Sequence, residues 1–161
     1  MDTIVAPAHE ADDRTLVLDR HLAAPRAALW RCWTDPALLP RWFTPAPWQT
    51  VSAEFDLRPG GSSLIVMRSP EGEDFPNRGV YLAVEPGCRL VFTDAFTEAW
   101  LPSERPFFVA EVTFEDQGDG TRYRAVARHW TAEARAEHEA MGFHEGWGAA
   151  ADQLEALAKT L

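Results

Sequence analysis

The amino-acid sequence predicts an α+β fold: a curved antiparallel sheet of about seven strands wrapped around a long C-terminal helix, with two short helices after the first strand. Three observations predict it. Proline-punctuated helical spacing follows the first strand in residues 25–41. Strand-like runs then fill the chain from Trp48 to Trp130 without a helical period. The C-terminal segment carries apolar residues at steps of three and four.

The first strand is Arg14–Leu22, with Leu16, Leu18 and Leu22 on one face. Residues 1–13 show no period and are acidic, so they are expected to be a flexible tail. One domain is expected over 14–161. Pro25 suits the first turn of a helix, where its missing N–H costs nothing, and Leu29, Trp30 and Trp33 follow at helical spacing. Asp35 then reads as a cap, Pro36 as the first residue of a very short second helix, and Pro40 as its end.

"WQTVSAEFDL" alternates Val51, Ala53, Phe55 and Leu57 against Thr50, Ser52, Glu54 and Asp56. "RPGG" after it is a hairpin corner: Pro59 fixes φ, and Gly60 and Gly61 accept positive φ. "SLIVM" returns. "GVYLAVE" and "RLVFTDAF" are joined by Pro86-Gly87, and "FFVAEVTFE" and "TRYRAVARHW" by a loop at 116–120. In the last hairpin Phe108, Ala110, Val112 and Phe114 face the same side as Tyr123, Ala125, Ala127 and His129. The opposite face carries Glu111, Thr113, Arg122, Arg124 and Arg128 and is expected to meet solvent. The small inner residues leave room for a helix. Thr131 caps that helix, whose stripe is Ala136, Ala140, Phe143, Trp147, Ala150, Leu154, Leu157 and Leu161. Gly142, Gly146 and Gly148 around Trp147 indicate a bend or a close backbone approach.

Composition narrows the function. The net charge is −10 and there is a single lysine, Lys159, so no basic surface for nucleic acid is expected. No run reaches the ~20 apolar residues of a membrane helix, and the N-terminus lacks a signal-peptide pattern. Cys32 and Cys88 are too few for a disulfide scaffold and read as free thiols of a cytoplasmic protein. Seven tryptophans is a high count, which leaves some of them free to line a cavity rather than fill a core. His138, His144 and Glu145 do not make a zinc motif. No nucleophile elbow or phosphate loop is present, so no cofactor and no catalytic set is expected.

"APRAALWRCWTDPALLPRWF", "FDLRPGG", "NRGVYLAVEPGCRLVFT", "DGTRYRAVARHW" and "MGFHEGWGAAADQLEAL" together resemble the START-like (SRPBCC) helix-grip superfamily. Within it the chain resembles the family related to the activator of the heat-shock-protein-90 ATPase, from about Thr15 to Leu157. The resemblance implies a sheet gripping the C-terminal helix with a cavity between them. Some branches bind or act on small apolar molecules; in another the domain is half of a co-chaperone.

Candidate ligand-binding residues follow from alternation and placement. Trp42, Phe43 and Trp48 lie in the proline-rich "RWFTPAPW" and either close a cavity mouth or plug the core. Met67, Tyr81, Phe92, Phe108, Tyr123 and His129 are placed inward from the sheet, and Met141, Phe143 and Trp147 from the helix. The non-periodic stretch from Phe92 to Phe108 reads as a lid, a contact surface or a connector. The first functional expectation is a binding domain for a small apolar or aromatic molecule. A module that contacts a chaperone or regulator protein through its acidic surface is the alternative, and a hydrolase or cyclase using His129 and Tyr123 is a third reading.

Overall fold

The structure, a computed structural model, describes residues 12–161. Residues 1–11 of the expected tail lie outside the described residues. Asp12 and Asp13 are tied down. Asp12 Oδ1 accepts from the Arg14 N–H at 2.9 Å and from Thr15 Oγ1 at 3.0 Å, and Arg135 Nε donates to the Asp13 carbonyl at 2.9 Å.

The chain runs β1 (Thr15–Leu22), α1 (Arg26–Thr34), a 3-10 turn (Leu39–Arg41), β2 (Gln49–Phe55), β3 (Ser62–Arg68), β4 (Asp74–Glu85), β5 (Arg89–Thr93), β6 (Phe96–Glu98), β7 (Leu101–Pro102), β8 (Val109–Gln117), β9 (Gly120–Arg128), α2 (Ala132–Ala140) and α3 (Phe143–Ala158). Seven strands form one antiparallel sheet in the order β1-β9-β8-β5-β4-β3-β2, and β6 and β7 make a small separate hairpin. α3 packs on β1 and α1, so the helical layer crosses one face of the sheet. The result is the expected α+β helix-grip architecture.

Local chemistry sets the boundaries. Pro25 is the N-cap of α1, one residue outside the helix, with extended backbone at φ −64°. Asp35 does not cap the second helix, whose N-cap is Leu38 without a side-chain bond; instead Asp35 Oδ1 accepts from the Ala37 N–H at 2.8 Å in the turn that precedes it. The Asp35 carbonyl closes a turn with Leu38 and Leu39, and only Leu39–Arg41 is helical, with Pro40 inside it rather than at its end. At the "RPGG" corner only Gly60 takes positive φ, at +80°. Gly61 is needed for space, since a Cβ there would run into the Asp56 carbonyl oxygen. The corner is bonded onward, Gly60 N to Tyr81 O at 2.7 Å and Ala99 N to Gly60 O at 3.1 Å, so it joins β4 to the β6–β7 hairpin.

Three expectations are corrected. A bulge between Thr50 and Ser52 reverses the pleat, so Val51 is exposed and Thr50 is buried, while Ala53 and Phe55 keep their contact with the core. The outer sheet face is charged but not simply solvated. Glu111 is only 9% exposed, bridged by Arg89 at 2.5 Å and Arg128 at 2.9 Å. Burial raises its pKa, but the two guanidinium hydrogen bonds outweigh burial and hold the carboxyl below its ordinary range.

The third correction matters most for function. The C-terminal helix is two helices, broken at Gly142, whose φ is +99°. Thr131 caps the first, accepting from the Ala134 N–H at 3.0 Å. The break rotates α2 relative to α3. Phe143, Ala150, Leu154 and Leu157 are buried as expected, but Ala136, Ala140 and Leu161 are exposed and His138 is buried in their place.

Candidate functional site

Small residues on the inner face, Ala110, Ala125 and Ala127, are fully buried under the helical layer. They are not the empty space. A cavity of about 370 Å³ lies between the sheet and the helical layer. Its volume falls in the range of small-molecule sites.

The sheet contributes Leu18 from β1, Met67 from β3, Asn77 from β4, Phe92 from β5 and Tyr123 from β9. Phe107 and Phe108 close it just before β8. α1 supplies Trp33, which meets Trp42 and Phe43 edge-to-face and Phe92 at a tilt, with ring centroids 4.9, 5.8 and 5.7 Å away. From the helical side come His138, Met141, Phe143, Trp147 and Ala150. Phe143 and Trp147 lie 4.6 Å apart, and Met141, 75% exposed, sits at the rim.

Two side chains hold this wall. Gln153 on α3 clamps the proline-rich loop: its Nε2 donates to the carbonyls of Trp42 at 2.8 Å and Thr44 at 2.7 Å, and its Oε1 accepts from the Ala46 N–H at 3.1 Å. Asp94, at the end of β5, accepts from the N–H groups of Phe107 at 2.8 Å and Phe108 at 3.2 Å. The stretch from Phe92 to Phe108 is thus pinned at both ends and carries the β6–β7 hairpin between them.

Polar groups are few and specific. Trp33 Nε1 donates to the Tyr123 hydroxyl at 3.2 Å, and the Tyr123 proton has no acceptor among the described residues. Burial pushes the Tyr123 pKa up, so it remains a neutral donor. Thr44 and Thr50 share a hydrogen bond at 3.1 Å. Behind the wall, His129 Nδ1 meets the Arg14 carbonyl at 2.9 Å, and His129 Nε2 meets His138 Nδ1 at 2.8 Å. Burial, then the neighbouring His129, holds His138 down at about 4.

The structure brings together Trp42, Phe43, Met67, Phe92, Phe108, Tyr123, Met141, Phe143 and Trp147. Three candidates fall elsewhere. Trp48 is turned outward by the Pro45–Trp48 turn and packs on Phe75 at 5.6 Å. Tyr81 is buried beyond the cavity, between Phe55 at 6.2 Å and Phe92 at 6.4 Å. His129 is a layer behind the wall with both nitrogens engaged. A larger depression of about 470 Å³ near Pro25, Arg26, Asp116 and Asp119 is an open surface feature without aromatic walls.

Comparison with known proteins agrees with this architecture. Residues 23–159 match the family described as Activator of Hsp90 ATPase homolog 1-like protein. The chain belongs to that family. Protein NE0264 from Nitrosomonas europaea has a solved structure that superposes with a TM-score of 0.90 at 43% identity, covering 92% of this chain and 96% of that one. Protein Ms6760 from Mycobacterium smegmatis gives 0.77 at 30% identity, covering 92% and 93%. The AHSA1-like protein from Aeromonas hydrophila shares the fold at 0.70 and 21% identity, covering 91% and 92%. No curated protein matches the chain. Among the described residues no helix is long and apolar enough to cross a membrane.

Proposed function

We propose that the chain is a binding domain for one small, largely apolar or aromatic molecule held between sheet and helices. The observation that carries the reading is the wall itself: Trp33, Phe43, Phe92, Phe108, Phe143 and Trp147 around about 370 Å³ of space. A cavity of ~150 Å³ already admits benzene, so this one has room for two fused rings. Aromatic walls gain from ring contacts as well as from area removed from water, at ~25 cal/mol per Å² before ordering costs.

Gln153 and Asp94 support the same reading. Each spends one side chain to fix main chain that presents cavity aromatics, which keeps the site formed without a ligand. Pre-formed sites lose less free energy to ordering on binding. The test is a panel of one- and two-ring apolar compounds in a thermal-shift assay. A ligand at 100 times its Kd adds about 2.7 kcal/mol, which raises Tm by roughly 5–11 °C in a domain of this size. A panel that leaves Tm unchanged would count against the proposal.

A further inference from the structure

We infer that His138 Nε2 is a hydrogen-bond acceptor facing this cavity, so that the site selects an apolar molecule carrying one O–H or N–H group, such as a phenol, over its hydrocarbon counterpart. The inference rests on the binding reading above and specifies its ligand.

It follows from a chain of hydrogen bonds whose direction is forced at one end. The Arg14 carbonyl can only accept, so His129 Nδ1, at 2.9 Å, carries the proton. A neutral His129 then has a lone pair on Nε2. That lone pair accepts from His138 at 2.8 Å, so the His138 proton sits on Nδ1. The remaining nitrogen, His138 Nε2, is left with a lone pair.

Placement does the rest. His138 lines the cavity and His129 does not, so the engaged edge of the His138 ring points to the wall and the other edge away from it. Nε2 has no protein partner among the described residues and is not sealed from open space. The ring's neighbours are cavity residues: Phe107 at 4.7 Å, Phe143 at 5.2 Å, Phe108 at 5.6 Å and Trp147 at 6.0 Å. An acceptor set in an apolar wall discriminates, because a ligand without a donor leaves it unpaired on binding.

Two measurements test this. The first is the tautomer, read from imidazole ¹⁵N shifts of the native protein at pH 8. The expected result is a protonated Nδ1 and an unprotonated Nε2 on His138. A proton on Nε2 would turn the acceptor into a donor and overturn the inference. The second is the ratio of Kd values for 2-methylnaphthalene and 2-naphthol, compared between native protein and His138→Phe. Loss of the acceptor should reduce the preference for naphthol by roughly two- to twelve-fold, the range of one net hydrogen bond. His138→Gln, which keeps an oxygen acceptor, should recover part of it. A preference unchanged in His138→Phe refutes the role of His138 while leaving the binding reading intact. If the native protein binds neither naphthalene, the binding reading itself has failed. Should His138→Phe not fold, the tautomer in the native protein decides.

Discussion

Two alanines of similar burial separate an empty cavity from a filled core. Ala127 is fully buried on β9, clustered with Leu16 and Phe143 and paired in register with Ala110 and Leu16. Ala150 is 8% exposed on α3 and lines the cavity. Phenylalanine at 127 has nowhere to go, and overpacking should cost about 1–3 kcal/mol. Phenylalanine at 150 has about 370 Å³ before it. Burying that ring is worth about 1.5–3 kcal/mol, against roughly 0.5 for helix propensity and 0.5–1 for lost rotamers. The net is a change near zero to about 2 kcal/mol in favour of the fold. At about 2–4 °C per kcal/mol, calorimetry should show Tm falling by roughly 2–12 °C for Ala127→Phe and holding or rising for Ala150→Phe. Ala150→Phe should also lose the ligand-induced shift, because the ring occupies the ligand's place. Equal destabilisation by both substitutions would mean that the space at Ala150 is already filled, and the cavity account would fall with it.

Three further outcomes are expected. Gln153→Leu removes three hydrogen bonds from the 42–46 loop; it should cost about 1–3 kcal/mol and speed amide exchange of Ala46. Asp94→Ala frees the N–H groups of Phe107 and Phe108; it should cost about 1–3 kcal/mol and weaken ligand binding, while Asp94→Asn, which keeps an acceptor oxygen, loses less. Acid should destabilise the fold through His138. Its folded pKa of about 4 lies below the ordinary 6.5, so the unfolded chain takes up the proton first. Stability from this group is therefore intact above pH ~6.5 and declines as pH falls toward ~4, by at most about 3 kcal/mol. Urea melts at pH 7.5 and 5 check it: a His138→Gln variant should lose less stability between the two than the native chain.

Most of the fold was legible because its signals are local. Pro25 and Asp35 mark the helical segments, alternation marks β8 and β9, and Thr131 caps the last helical region. What was not legible depended on a change of phase within an element. The bulge at Thr50–Ser52 inverts Val51, and alternation by itself carries no sign of an inserted residue. The break at Gly142 has the same effect on the C-terminal stripe. An unbroken helix puts Ala136 and Ala140 inward; the break puts His138 there instead. The cluster of three glycines was the available signal, but it pointed to Trp147 rather than to Gly142. Gly146 and Gly148 are not forced by crowding, since added Cβ atoms would sit 4.0 Å from Pro45 and 3.8 Å from Arg20.

The candidate site shows the same division. Met67, Phe92 and Tyr123, which alternation directs inward, line the cavity. Trp48 does not, because the turn that swings it onto Phe75 is set by loop geometry rather than by a period. Trp33 and Phe107 also line the cavity, and neither carries a sequence signal for it. One reads as an ordinary core position of α1, and the other is aimed by Asp94 from across the strand end. Gln153 and Asp94 act at sequence separations of 111 and 13, beyond what local spacing reveals.

The tryptophans provide the most direct test of the central claim. Trp33, Trp42 and Trp147 line the cavity, whereas Trp30, Trp48, Trp100 and Trp130 do not. A titration of ¹⁵N-labelled protein with 2-naphthol, followed through the seven indole N–H resonances, reads both sets at once. The account predicts that the three cavity indoles shift together and saturably while exposed Trp48, Trp100 and Trp130 stay in place. Shifts confined to the exposed indoles, or none at any concentration, would contradict a binding site between sheet and helices.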